Sequence, residues 1–137
     1  MAFELTDRIE RHLTTDVIAW LTTVTPTGWP APRPVWFVWD GSAITIYSQN
    51  GGAKLRHLEV NDRVAVHFNS TPDGGDVAVI WGHASRVPDA PPPSESPGLL
   101  DKYAARIAEM GRTPQWYDDA YGVALRVVPE RAMTIPR

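Results

Sequence analysis

The stretch "PRPVWFVWDGSAITIYSQ", residues 32–49, decides how the chain folds. Two runs rich in β-branched and aromatic residues, 32–40 and 43–49, flank the dipeptide Asp40-Gly41. That dipeptide favours the tight reversal of a β-hairpin, because glycine takes the positive φ such a turn needs. Pro32 and Pro34 have no N–H to give to a neighbouring strand. They therefore place the start of this strand at a sheet edge or an irregular entry. Side chains alternate along a strand, so Trp36 and Val38 share one face and Phe37 and Trp39 the other. Likewise Ile44, Ile46 and Ser48 oppose Thr45, Tyr47 and Gln49. A small chain has one inner face, so the second aromatic pair must meet a helix, a partner subunit or a flat ligand.

Working outward, the run 16–25 (DVIAWLTTVT) reads as a strand that Pro-Thr-Gly-Trp then interrupts. RVAVHFN (63–69), DVAVIWGHASRV (76–87) and VALRVVPERAMTI (123–135) read the same way. Leu5, Ile9 and Leu13 at i, i+4 and i+8 predict a short helix capped by Thr6 or Asp7. AKLRHLEV (53–60) predicts another, ended by Asn61-Asp62. LLDKYAARIAEMG (99–111) predicts a third, with Leu100, Tyr103, Ile107 and Met110 at helical spacing and Gly111 as its stop. TPQWYDDAYG (113–122) predicts a last short helical piece. Residues 88–97, PDAPPPSESP, read as an exposed proline-rich linker. The sum is a mainly β (α+β) chain with six strands at hairpin spacing, which points to a small antiparallel barrel flanked by short helices. No G-x-G-x-x-G follows the first strand, so a Rossmann unit is not expected.

The 137 residues suit one domain, 1–137, with a core that needs no metal or disulfide. Net charge is −3, which offers no global field for nucleic acid or an anionic membrane, so any anion site must be local. The chain has no cysteine, which removes disulfides, thiolate catalysis and cysteine-ligated metal centres. Its first residues are polar and charged, unlike a secretory signal, and no run nears the roughly 18 apolar residues of a membrane span. A cytoplasmic protein is the expectation.

Chemistry concentrates at "YSQNGGAKLRHL", residues 47–58. A helix start leaves N–H groups unpaired at the positive end of the helix dipole, and an anion is welcome there. Gly51 and Gly52 let the backbone turn tightly or approach a ligand closely. Lys54 in the first turn is set against the dipole, so an anion would compensate it; a plain turn with a solvated lysine also satisfies the pattern. Arg56 and His57 read as solvated. The histidines His12, His57, His67 and His83 lack metal-ligand spacing, no G-x-S-x-G nucleophile elbow occurs, and Asp118-Asp119 reads as a solvated helix face. Any redox chemistry would therefore reside on a cofactor.

The pieces "LTTV…G.P…PVWF.WDG", "IYSQ…AKLRHL" and NDRVAVHF, with GDVAVIWGHA after them, stand in an order that resembles the split β-barrel oxidoreductases related to pyridoxamine-phosphate oxidase. More narrowly, the chain resembles the actinobacterial branch, the FDOR-B type, which uses the deazaflavin coenzyme F420. The likeness runs through nearly the whole chain and is strongest over 19–84. It implies an FMN-binding-like split barrel and a homodimer with cofactor sites at the subunit interface. It also implies that Ser48, Gln49, Gly52, Ala53 and Lys54 hold the cofactor phosphate, while Trp36, Phe37 and Tyr47 lie along the tricyclic ring. Relatives often carry threonine or arginine where this chain has Gly52, so here only backbone amides would remain at that point. The implied activity is hydride transfer from reduced F420 to an activated conjugated double bond of a small planar substrate: an enone, a quinone or a coumarin-like lactone. An FMN-dependent enzyme of the same fold and a non-catalytic F420 carrier are the alternatives. Tyr47, Tyr117 and Tyr121 are the candidate proton donors, and Trp116 with Tyr117 could line a substrate opening or the core.

Overall fold

A computed structural model describes residues 3–49 and 51–136. Seven strands form one antiparallel sheet: β1 (Ala19–Val24), β2 (Pro30–Val35), β3 (Val38–Trp39), β4 (Ile44–Ser48), β5 (Arg63–Phe68), β6 (Val77–Arg86) and β7 (Val123–Ile135). Their order is β2-β1-β5-β6-β7-β4-β3. The helices are α1 (Asp7–Thr15), α2 (Ala53–Val60), α3 (Leu99–Glu109) and α4 (Pro114–Ala120).

The two edge strands of this sheet, β2 and β3, are separated in the chain only by Trp36 and Phe37. In a flat sheet, six strand spacings would hold them about 29 Å apart. Three peptide units reach no further than about 11 Å. The sheet must therefore curl until its edges approach, and it forms a half-barrel.

This break corrects the expected count of six strands. The run 32–40 divides because Phe37 gives its backbone groups to α3 rather than to a neighbouring strand. Its N–H donates to the Tyr103 hydroxyl at 2.9 Å, and its carbonyl accepts from Lys102 Nζ at 2.9 Å. The prolines behave as their chemistry requires: Pro30, Pro32 and Pro34 alternate along β2, an edge strand, where a missing donor costs little. The Asp40-Gly41 hairpin joins β3 to β4, with Gly41 at φ +97° and the Asp40 carboxylate accepting from the N–H groups of Ser42 and Ala43. Burial works to raise the Asp40 carboxyl, but those N–H groups and Arg126 outweigh it and hold it at about 2.

The alternation seen in sequence sorts side chains onto two sides. Ile44, Ile46, Leu125 and Val127 join Leu21, Val66 and Ile80 in the main core, closed by Ile9 and Leu13 of α1. On the other side Val38, Tyr47 and Ala124 pack beneath Leu99, Tyr103 and Ile107 of α3 and Tyr117 of α4. Thus Phe37 and Trp39 face the main core, while Trp36 and Val38 meet helices of the same chain. Thr6 caps α1, accepting from the Ile9 N–H at 3.3 Å. At the far side of α1, Asp76 (φ +54°) gathers Arg8, Arg11 and the buried His12, tying the helix to the start of β6.

The segment 88–97 is less open than its composition predicts. It carries a 3-10 turn, Pro93–Glu95, with Pro93 and Ser96 buried. Ser94 donates both its N–H and its hydroxyl to Asp118, which pins the segment to α4. Among the described residues no helix is long and apolar enough to cross a membrane.

Candidate functional site

β4 ends at Ser48, and the chain enters α2 through Gly51 at φ +72° and Gly52 at the N-cap. Asn50 of this turn lies outside the described residues. Gly52 has no side chain to cap the helix, and no acidic residue stands in the first turn. The Leu55 N–H turns back to the Gly52 carbonyl at 3.1 Å, which among the described residues leaves the N–H groups of Ala53 and Lys54 to water or a ligand. A cavity of about 500 Å³ opens on this corner.

Its lining is of two kinds. Lys54 and His57 come from one face of α2, and Arg33 comes from β2. Among the described residues no carboxylate lines the cavity and no ion pair includes Lys54 or Arg33. Burial lowers the pKa of the Lys54 ammonium, and Arg33 nearby lowers it further. This is an electropositive corner lacking a counter-ion. The rest of the wall is aromatic: Trp36, Tyr47, Trp116, Tyr117 and Tyr121. Parallel rings run from Tyr103 to Trp36 (4.5 Å), Trp36 to Tyr117 (5.4 Å) and Tyr117 to Tyr121 (4.7 Å).

Of the eight residues assigned to a cofactor from sequence, Trp36, Tyr47, Ser48, Gln49, Gly52, Ala53 and Lys54 all reach this cavity. Phe37 does not. It is buried in the main core, edge-on to Phe68, with Lys102 Nζ 3.4 Å from its ring centre. Strand alternation sends it to the side opposite Trp36. Trp36 itself is stacked on tyrosines of its own chain, so it offers the cavity its edge more than an open face.

Among the tyrosines, Tyr47 donates its hydroxyl proton to the Pro91 carbonyl at 2.8 Å, and burial raises its pKa. Burial also raises Tyr117. Among the described residues the Tyr121 hydroxyl receives only the Gln49 amide, at 3.4 Å. Trp116 and Tyr117 line the cavity and also pack with the α3 cluster.

Two ionisable lining residues, Arg33 and His57, were not legible as such. Arg33 shares an alternating stripe of β2 with Ala31 and Val35, and that stripe faces the cavity. His57, expected to be solvated, is half-buried with Nδ1 2.7 Å from the Thr23 hydroxyl. Arg56 is exposed and braces the turn by donating to the Gly51 carbonyl at 3.2 Å. A second cavity, of about 350 Å³, lies across the sheet break beside Lys102, Trp39 and Leu13. Among the described residues no cluster of side chains could hold a metal ion.

Solved structures share this architecture. An F420 reductase is 25% identical over 90% of this chain and 94% of its own, with a TM-score of 0.71. A Listeria innocua protein named as a candidate pyridoxamine 5′-phosphate oxidase is 22% identical, covering 98% of this chain and 100% of its own, with a TM-score of 0.67. The heme storage protein HutZ of Vibrio cholerae is 18% identical, covering 98% and 95%, with a TM-score of 0.65. No curated protein matches the sequence. The family described as pyridoxamine 5′-phosphate oxidase matches residues 5–135, and with a curled antiparallel sheet and a cation-lined strand-to-helix corner besides, the chain belongs to that family.

Proposed function

We propose that this protein is a cytoplasmic F420H2-dependent reductase that acts on an activated conjugated double bond in a small planar molecule such as an enone, a quinone or a coumarin-like lactone. The observation that carries this reading is one cavity joining two cations, without an ion-pair partner among the described residues, to an aromatic wall, in a chain 25% identical to an F420 reductase. A coenzyme with a phosphate and a flat ring fits those residues. Arg33 and Lys54, with the uncapped start of α2, would hold the phosphate, each charge-assisted contact contributing about 1.5–3 kcal/mol. Ser48, Gln49, Gly52 and Ala53 would shape that corner, with Trp36, Tyr47 and Trp116 bounding the ring. Reduced F420, when bound, supplies the hydride. The chain binds and orients both molecules and excludes water, which is most of what hydride transfer asks of a protein. Tyr121, whose hydroxyl donates to no backbone carbonyl among the described residues, would hold a proton at its oxygen. Met110 lines the cavity yet is 53% exposed, which supports a homodimer in which a second copy covers the opening.

FMN is the second reading, favoured by the family's FMN-binding fold and by a corner that suits any phosphate. Titrating the purified protein with F420 and with FMN separates the two, and tight FMN binding without F420 binding reverses the cofactor choice. The activity is tested by following F420H2 oxidation with a panel of quinones, lactones and enones. Turnover above the protein-free rate is expected. F420 binding with no turnover across the panel would make the protein a carrier.

A further inference from the structure

Thr23 is a hydroxyl in an otherwise apolar stripe. Ala19, Leu21 and Thr23 of β1 all point inward, and Thr23 is 1% exposed. Its oxygen lies 2.7 Å from His57 Nδ1. A hydroxyl can donate or accept. The contact therefore suits a neutral imidazole whose Nδ1 accepts from Thr23, and equally an imidazolium whose Nδ1–H donates to it. Among the described residues, Nε2 of His57 has no protein partner.

The charges around this ring are of one sign. Lys54 precedes His57 by three residues on the same helix face, and Arg33 reaches the cavity from β2. β1 carries no charged residue, and Arg56 is turned to the Gly51 carbonyl. Glu59 is exposed on another face of α2, and Asp118 and Asp119 of α4 are engaged by Ser94 and Gln115 outside the cavity. Across the cavity stand only the phenols Tyr47, Tyr117 and Tyr121. No carboxylate stands beside Lys54 and Arg33 in this lining, and an anion brought in by a ligand favours the charged form of a neighbouring imidazole.

We propose that His57 is a third ligand of the anion, and that it takes up one proton as a phosphate-bearing ligand binds, with Thr23 holding the ring in either state. The proton comes from solvent, adds to a ring nitrogen, and no other bond is made or broken. This inference rests on the phosphate site read above. Its consequence is that affinity rises as pH falls, by up to about tenfold per pH unit.

Calorimetric titration tests it. F420 and, separately, FMN are titrated into the wild type, His57→Gln and Thr23→Val at pH 7, in buffers of low and high ionisation heat. The comparison reads protons taken up per ligand. Titration of the ligand itself is common to all three proteins and cancels. The wild type should take up more protons than His57→Gln, by up to one, and bind about tenfold more tightly. Thr23→Val should keep the proton uptake and bind a few-fold more weakly. Gln can still bond Thr23, and a melting curve checks that the variant is folded. Equal uptake by the wild type and a folded, ligand-binding His57→Gln overturns the role of His57 and leaves the phosphate site standing. If neither coenzyme binds the wild type, the site itself is misread and both proposals fall.

Discussion

Tyr103 holds Phe37 at the point where one strand becomes two. Its hydroxyl accepts the Phe37 N–H at 2.9 Å and donates its single proton to the Val17 carbonyl at 2.7 Å. One buried oxygen thus links α3, the β2–β3 break and the entry to β1. Tyr103→Phe keeps the ring stacked on Trp36 but leaves a buried N–H without its acceptor. It should cost about 2 kcal/mol, or roughly 6 °C in Tm. Urea unfolding checks this: the midpoint should fall with the slope unchanged, and an unmoved midpoint would show that water replaces the hydroxyl.

Lys54 and Arg33 share one anion. Lys54→Ala should weaken F420 binding by roughly 10–100-fold, and Arg33→Ala by about tenfold, since each removes a charge-assisted contact. Both losses should shrink at high salt, where exposed charge is screened. Fluorescence titration measures them. Unchanged affinity in a folded Lys54→Ala would return that lysine to a solvated role.

Stability should depend on pH through Lys102. Burial pushes its ammonium down from 10.5 to about 8, with Asp16 opposing. Between those values the unfolded chain binds more protons than the folded one, so stability rises with pH. Lys102 is partly solvent-exposed, and after discounting for screening the gain is about 1 kcal/mol. Lys54, also lowered, adds in the same sense. Tyr103 and Tyr117 are raised by burial, so the folded state keeps protons that the unfolded state loses above pH ~10, and stability falls there. Melting temperature should peak near pH ~10. Lys102→Met should flatten the rise and keep the fall, and an unaltered profile would assign the rise elsewhere.

Gly82 sits where β6 shifts register against β7, between Trp81 and Gly82. A Cβ at this position would lie 2.1 Å from the Val128 carbonyl oxygen, which is backbone and cannot swing aside. Gly82→Ala should lose about 4 kcal/mol or more and fail to give soluble folded protein. A soluble variant melting near the wild type would contradict the register.

Gly52 has ordinary helix-entry geometry, at φ −64°, and a Cβ there would come 3.3 Å from the Gln49 carbonyl, a contact that needs only a small adjustment. Gly52→Thr should therefore change stability by only about a few tenths of a kcal/mol. It should tighten F420 binding by about tenfold if its hydroxyl reaches the phosphate. A loss of affinity would mean that the hydroxyl caps the N–H groups the phosphate uses.

Sequence alone determined what is local. Alternation sorted Trp36 and Val38 from Phe37 and Trp39, Asp40-Gly41 specified its hairpin, prolines marked β2 as an edge, and the helix over 53–60 has the ends its residues predicted. Each follows from sterics and hydrogen bonding within a few residues of chain. Tertiary structure decided what depends on distant partners. β7, last in the chain, lies between β6 and β4, and the strand break at Phe37 is made by residues some 66 positions later. Spacing of i and i+3 puts Lys54 and His57 on one helix face, but Arg33 joins them only because β1 sets β2 on one side while α2 packs over it. The curl of the sheet is likewise a closure condition on all seven strands, which no single segment encodes.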